Sequence, residues 1–236
     1  MKAPLPSAGG LRGIPSAAED VMVARDLVLA QLTGARYHVA HISTRNAVAM
    51  VDFARRHGLP VSCEVTPHHF ALADADILAY DSNYKMKPPL RACGDRDAVT
   101  EALVAGTISA IATDHAPHAG SEKMQEFERC PFGIIGLETA LALALEHLVH
   151  TGKLSVARMV ELFTTGPESV MRLGRGTLAT GTPGDVTIFS TELSWTYEVK
   201  RSLSRSSNTP FDGHTFQGGP VATVVGGKLV WRRDGA

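Results

Sequence analysis

Apolar and polar positions keep two rhythms over the first two thirds of the chain. Residues 1–12, rich in Pro, Gly and Ala, read as loop. Helical spacing starts behind Pro15, where Ser16-Ala17-Ala18-Glu19 has the form of a capping box, and Gly34 closes the helix. Arg36 to Ile42 is a short strand-like run, after which Ser43 or Thr44 caps a second helix that ends at Gly58. Pro60 to Thr66 predicts the next strand. A long loop from Pro67 to about Gly94 follows, then Asp95 caps a helix that stops at Gly106. Ile108 to Thr113 predicts a third apolar strand, again leading into a long loop. Helices are expected over Gly136 to His150 and Ser155 to Phe163, with a shorter one near Glu168 to Leu173.

Strands that are apolar throughout, alternating with helices, point to parallel strands covered on both faces. After Gly174 the pattern changes. Gly-rich turns separate short β-prone runs at Asp185 to Phe189, Val221 to Val225 and Lys228 to Trp231. The expected organisation is an α/β portion over residues 1–173 and a small β-portion over 174–236. Three strand–helix units are visible, and no internal repeat supplies more. A closed (β/α)8 barrel needs about 250 residues. A three-stranded parallel piece leaves two apolar edges open, so the architecture reads as cut and is expected to fold poorly alone.

Composition narrows the function classes. The 236 residues are 44% hydrophobic and 20% charged, with Lys+Arg 23 against Asp+Glu 24 and a net charge of -1. No basic excess offers a surface to nucleic acid or to an anionic membrane. Cys63, Cys93 and Cys130 are far apart, an odd set that suits free thiols in a reducing cytoplasm. The opening residues lack the apolar core of a secretory signal. The longest apolar stretch, Leu137 to Val149, is interrupted by Glu138, Glu146 and His147 and is too short to cross a bilayer.

Three polar clusters fall where strands end, the face that carries catalysis in parallel α/β folds. They are His38-Val39-Ala40-His41-Ile42-Ser43, Glu64-Val65-Thr66-Pro67-His68-His69 and Thr113-Asp114-His115-Ala116-Pro117-His118. A His and an Asp at the ends of separate strands suit a divalent metal held by imidazole and carboxylate. In a continuous strand His38 and His41 point to opposite faces, so only one of them can face the interior. Each cluster also has a plainer reading. A lone His can be a hydrogen-bonded structural residue, Asp114 a turn residue, and His68-His69 a solvated loop pair.

The stretches GIPSAAEDVMVARD, YHVAHIST, EVTPHH, YKMKPPLR, IATDHAPH, PFGIIGLETAL and NTPF occur in an order that resembles type I bacterial dihydroorotases of the amidohydrolase superfamily. The resemblance runs from about Gly13 to Trp231, and Asp-His-Ala-Pro-His followed by Pro-Phe-Gly-Ile is its most specific part. It implies the C-terminal part of a TIM-type (β/α)8 metal-dependent hydrolase barrel, about strands six to eight, plus part of a small β-sandwich. It implies that His41 is a zinc ligand, and that Asp114 is both a zinc ligand and the catalytic acid/base. His118 matches a histidine that contacts substrate, and Phe132 and Gly133 match a loop that contacts the ring through backbone groups. His38, His68, His69 and His115 match no ligand position.

The resemblance also defines what is expected and not found. An early His-x-His motif, a strand-four Lys or Asp and a strand-five His are not in the chain, so two protein ligands of a normally binuclear Zn2+ site remain. Lys87 stands where relatives carry a substrate-binding Asn, and it has donors and a charge but no acceptor. The implied reaction is reversible hydrolysis of (S)-dihydroorotate to N-carbamoyl-L-aspartate in pyrimidine biosynthesis. The implied partners are a small-molecule substrate and a homodimer mate or aspartate transcarbamoylase. Two rival readings stay open: a non-catalytic dihydroorotase-like partner protein, and another cyclic amidohydrolase such as a hydantoinase. No nucleotide cofactor is implied.

Overall fold

The computed structural model describes residues 13–77 and 79–234; the expected opening loop, residues 1–12, lies outside them. The chain divides into two compact units, Met1–Gly136 with Leu203–Pro210, and Leu137–Ser202 with Phe211–Ala236.

The first unit is built on three parallel strands in the order β1 (Tyr37–Val39), β2 (Val61–Val65), β3 (Ala110–Ile111). Tyr37 pairs with Val61, Val39 with Cys63 and Glu64 with Ala110. These strands are shorter than the apolar runs predicted. Main-chain bonds from Ile42 N to Glu64 O and from Ala112 N to Val65 O carry the pairing further, until the chain turns sharply at His41 and Asp114. The strands alternate with helices α1 (Ala17–Thr33), α2 (Arg45–Arg56), α3 (Pro67–Ala71) and α4 (Cys93–Ala105). The buried stripe of α2, Ala47, Val48, Val51 and Ala54, follows helical spacing. Thr44 caps α2 by accepting from Ala47 N, and Gly34 ends α1 in the left-handed region as expected.

Two capping expectations are corrected. Ser16 makes no side-chain cap, since its own backbone is already in the right-handed helical region (φ -54°, ψ -33°), and Glu19 does not complete the box. Its carboxylate accepts from Ser43 N, Ser43 Oγ and Thr44 N, and pairs with Arg91. Asp95 lies inside the first turn of α4 rather than capping it, and accepts instead from Arg45 N at 2.9 Å. In both cases the carboxylate's contact is distant in sequence rather than local. The loop predicted after Pro67 starts with α3, whose five residues are all buried.

The second unit opens with α6 (Ala140–Ala144), which widens into a π-helical turn over Leu145–Val149. A short α5 (Gly120–Lys123) precedes it in the first unit, and α7 (Val156–Phe163) and α8 (Thr165–Met171) follow. Strands β4 (Val186–Thr196), β5 (Thr215–Val225) and β6 (Lys228–Arg232) form an antiparallel sheet in sequence order. They are longer than the short runs predicted, since β4 continues through an irregularity between Ser190 and Ser194. Leu143, Leu145, Leu148, Met159, Leu162 and Phe216 are fully buried, and truncating such a leucine to Ala costs about 2–5 kcal/mol. Gly218 (φ 85) lets β5 approach Leu145, since a Cβ there would stand 2.7 Å from Leu145 Cδ1. The architecture is α/β, and among the described residues the parallel strands do not close into a barrel.

Candidate metal and substrate site

His41 and Asp114 both sit just past the ends of parallel strands, and both have positive φ, 54° and 44°. That conformation is costly for residues with a Cβ and gathers at functional sites. It turns the two side chains toward each other, with His41 Nε2 3.4 Å from Asp114 Oδ1. Glu64, the fourth residue of β2, stands behind them. Its Oε1 lies 3.0 Å from His41 Nδ1 and its Oε2 3.3 Å from His38 Nε2. His38 Nδ1 is 2.8 Å from Ser62 Oγ on the neighbouring strand. The expected opposition of His38 and His41 therefore does not hold. His41 has left the strand, and both rings reach one carboxylate.

Charge in this group is tightly coupled. Burial by itself would raise the Glu64 pKa, but the hydrogen bonds and charges of His38 and His41 outweigh it and bring it down to about 2. The hydrogen bond to Glu64 raises the His41 pKa against an opposing desolvation, with the Asp114 charge adding to the rise. Burial raises the Asp114 pKa, the His41 charge lowers it and Glu64 raises it further, with a net rise.

His68 and His69 are not a solvated pair. Both are buried on α3, and desolvation lowers their pKa values to about 3 and about 4. His69 bridges Thr66 Oγ1 at 2.8 Å and Pro88 O at 3.1 Å. His115 Nδ1 accepts from Gly136 N. The burial of His68 and His69 and the backbone contacts of His69 and His115 fit a structural reading of these histidines.

A second group lies around His118. Its Nε2 is 2.8 Å from Phe132 O, and its backbone N–H donates to Asn208 Oδ1. Asn208 Nδ2 in turn donates to Ala116 O at 2.9 Å and Gly133 O at 3.0 Å. Gly133 has φ 149°, and a Cβ on it would stand 2.7 Å from Ala116 Cβ and 2.8 Å from His118 Nε2. Only glycine lets the loop pass that close. Phe132 is exposed, and Lys87 Nζ lies 5.8 Å from its ring centroid. The predicted residues thus fall into two sets, His41 with Asp114, and His118 with Phe132, Gly133 and Lys87.

Sequence reasoning assigned no role to Glu64, Asn208, Lys85 or Lys123. Glu64 carried a signal. It shares a strand face with Ser62, whose register partner is His38, so an acid near the end of that face meets the histidine cluster. Asn208 lies 90 residues from His118 in sequence, and nothing local announces the contact.

The donor set suits a metal of zinc type. Two ligands on one tetrahedral Zn2+ at about 2.0–2.2 Å stand about 3.4 Å apart, which is the separation of His41 Nε2 and Asp114 Oδ1. A carboxylate on the far nitrogen of a ligating imidazole fixes its tautomer and raises its basicity, and Glu64 is so placed. Among the described residues, no group of three or more His, Cys, Asp or Glu is arranged to hold an ion.

Comparison with known proteins follows the same lines. The Amidohydrolase family profile matches residues 11–230. A dihydroorotase of Solibacter usitatus is 77% identical over 225 residues, which is 95% of this chain and 52% of that protein. A dihydroorotase of Halalkalibacterium halodurans is 50% identical over 222 residues, 94% of this chain and 52% of that protein. Among solved structures, a D-hydantoinase (dihydropyrimidinase) from Thermus sp. superposes with a TM-score of 0.86 at 27% identity, covering 92% of this chain and 49% of that one. An L-hydantoinase (dihydropyrimidinase) from Arthrobacter aurescens gives 0.86 at 29% identity, with 92% and 49% covered. The chain spans about half the length of the curated relatives it matches.

Proposed function

The chain belongs to the amidohydrolase family, and from that premise we propose that it serves as a dihydroorotase. The reaction is the reversible hydrolysis of (S)-dihydroorotate to N-carbamoyl-L-aspartate in de novo pyrimidine synthesis. The observation that carries this reading is the 77% identity to the Solibacter usitatus dihydroorotase along 95% of the chain. In this reading residues 1–173 are part of a TIM-type (β/α)8 barrel, about strands six to eight, and residues 174–236 part of a small β-sandwich.

His41 and Asp114 would hold Zn2+ in a site that is binuclear when its donor set is complete. When bound, the metal would supply Lewis acidity toward the amide carbonyl and a water-derived nucleophile near neutral pH. Asp114 accepts the proton released by water and delivers it to the ring nitrogen as the C–N bond breaks. Glu64 holds His41 in the tautomer that presents Nε2. His118 and the main chain at Phe132 and Gly133 bind and orient the ring. Lys87 offers an ammonium to the substrate carboxylate in place of an amide.

The working partners in this reading are the small-molecule substrate and either a second copy or aspartate transcarbamoylase. The setting is the cytoplasm, which suits the free thiols Cys63, Cys93 and Cys130. Among the described residues no helix is long and apolar enough to cross a membrane.

The hydantoinase likeness of the fold supports a second reading, a different cyclic amide as substrate. Turnover of dihydroorotate, hydantoin and dihydrouracil by the zinc-supplemented protein separates them. Hydrolysis of dihydroorotate, lost in Asp114→Asn, is expected where the donor set is complete; His41 and Asp114 alone are expected to leave turnover weak. Hydrolysis of hydantoin instead would replace the proposal with the second reading. Zinc-free protein inactive on all three, isolated with a stoichiometric partner, would point to a non-catalytic role.

A further inference from the structure

Five main-chain carbonyls within residues 127–133 are held by two buried ammonium groups. Lys85 Nζ donates to Phe127 O at 2.6 Å, Glu128 O at 3.0 Å and Cys130 O at 2.7 Å. Lys123 Nζ donates to Pro131 O at 3.1 Å and Gly133 O at 3.2 Å. The two lysines come from separate segments. Lys85 follows a 3-10 turn at Ser82–Tyr84, and Lys123 ends α5 just beyond His118. Lys85 Nζ also lies 4.5 Å from the centroid of the Phe132 ring and 5.6 Å from that of Phe127.

A buried ammonium is expensive to keep, and here its bonds go to peptide oxygens rather than to a carboxylate. Such an arrangement serves shape. An ammonium has three rotatable donors, so one lysine can gather carbonyls that a strand or helix ladder would never bring together. The segment so gathered ends in Pro131-Phe132-Gly133, where Phe132 O meets His118 Nε2 and Gly133 N donates back to Lys85 O at 2.9 Å.

We propose that Lys85 and Lys123 are positioning residues that pin the 127–133 loop, fixing the Phe132 carbonyl against His118 and leaving two positive charges beneath that wall. The inference rests on the reading of Phe132 and Gly133 as substrate-facing. The pinning itself is measurable with no substrate present, so its failure is distinct from a failure of the dihydroorotase assignment.

Cys130 supplies the probe. It is buried beside Lys85, whereas Cys63 is buried in β2 and Cys93 is exposed. In Lys85→Met and Lys123→Met the Cys130 thiol is expected to react with a disulfide reagent about tenfold faster or more, while Cys63 stays protected. The imidazole nitrogen signals of His118 are expected to shift in the same variants, which a loss of general stability does not produce. In the unsubstituted protein, two lysine ammonium groups are expected to show hydrogen exchange slow enough to detect by nitrogen-edited spectroscopy. Release of Cys63 in step with Cys130, unmoved His118 signals, or solvent-rate exchange at every lysine would each overturn the proposal.

Discussion

Glu64 Oε1 stands 3.0 Å from His41 Nδ1, and the same ring presents Nε2 3.4 Å from Asp114 Oδ1. A carboxylate, an imidazole and a second carboxylate therefore lie in contact in that order. Replacing Glu64 by Gln keeps the volume and removes the charge that favours Nδ1–H. Outer-shell partners of this kind are worth about 10–100-fold in metal affinity. The Glu64→Gln protein is expected to bind zinc more weakly by a factor in that range, read by competition with a chromophoric chelator. Equal zinc affinity in the two proteins would mean that Glu64 does not set the ring.

Of the candidate site, the strand-end positions of His41 and Asp114 are legible from the pattern of residues, whereas His118, Phe132 and Gly133 are singled out only by the family resemblance. The relation of His38 to His41 was not legible, because strand parity fails once His41 takes a φ of 54°. Nor was the fate of Glu19. As a local signal it completes a capping box, but its carboxylate makes contacts 24 and 72 residues away. The order of helices and strands was readable from periodicity, while the ends of β1 and β3 depended on turns that periodicity does not encode.

Gly133 offers a sharp steric test. With φ at 149° and Ala116 Cβ 2.7 Å from where a Cβ would stand, Gly133→Ala combines backbone strain with a clash. The obstructing atoms are a main-chain-bound methyl and the His118 ring, not the tip of a flexible side chain. The variant is expected to lose about 1–3 kcal/mol of stability in urea denaturation, with His118 displaced from Phe132 O. A variant as stable as the original would show that the loop relaxes without cost.

Arg91 and Glu19 form an ion pair at 3.2 Å, their side chains 6% and 13% exposed. Arg91 also donates to Ser43 Oγ at 3.0 Å and to Ile14 O at 2.7 Å, so it ties the turn after His41 to the start of the chain. Removing one member of a buried pair leaves the other charge uncompensated, at about 3–5 kcal/mol. Arg91→Met alone is expected near the lower end, since Glu19 keeps its bonds to Ser43 and Thr44. The double variant Glu19→Gln with Arg91→Met should lose less than the sum of the single changes, by about 1–3 kcal/mol. Strict additivity in a urea-melt cycle would show that the pair is not coupled.

His68 and His69 make stability depend on pH. Burial holds both imidazoles neutral, to about 3 and about 4, with each weakened further as a base by nearby positive charge. An unfolded histidine titrates near 6.5, so below that value the unfolded chain takes up protons that the folded one excludes. The stability these groups leave intact above pH 6.5 is therefore lost progressively as pH falls toward 4. The cost is about 1.4 kcal/mol per pH unit for each histidine. His41, with its raised pKa, acts in the opposite direction: its contribution is full below about 6.5 and is lost as pH rises through its folded pKa, but it is common to the proteins compared. His69→Asn removes one titrating group and can still accept from Thr66. Between pH 7.5 and pH 5.0 its urea-derived stability should fall by about 2 kcal/mol less than that of the unsubstituted protein. Equal falls would show that His69 is already charged within the fold.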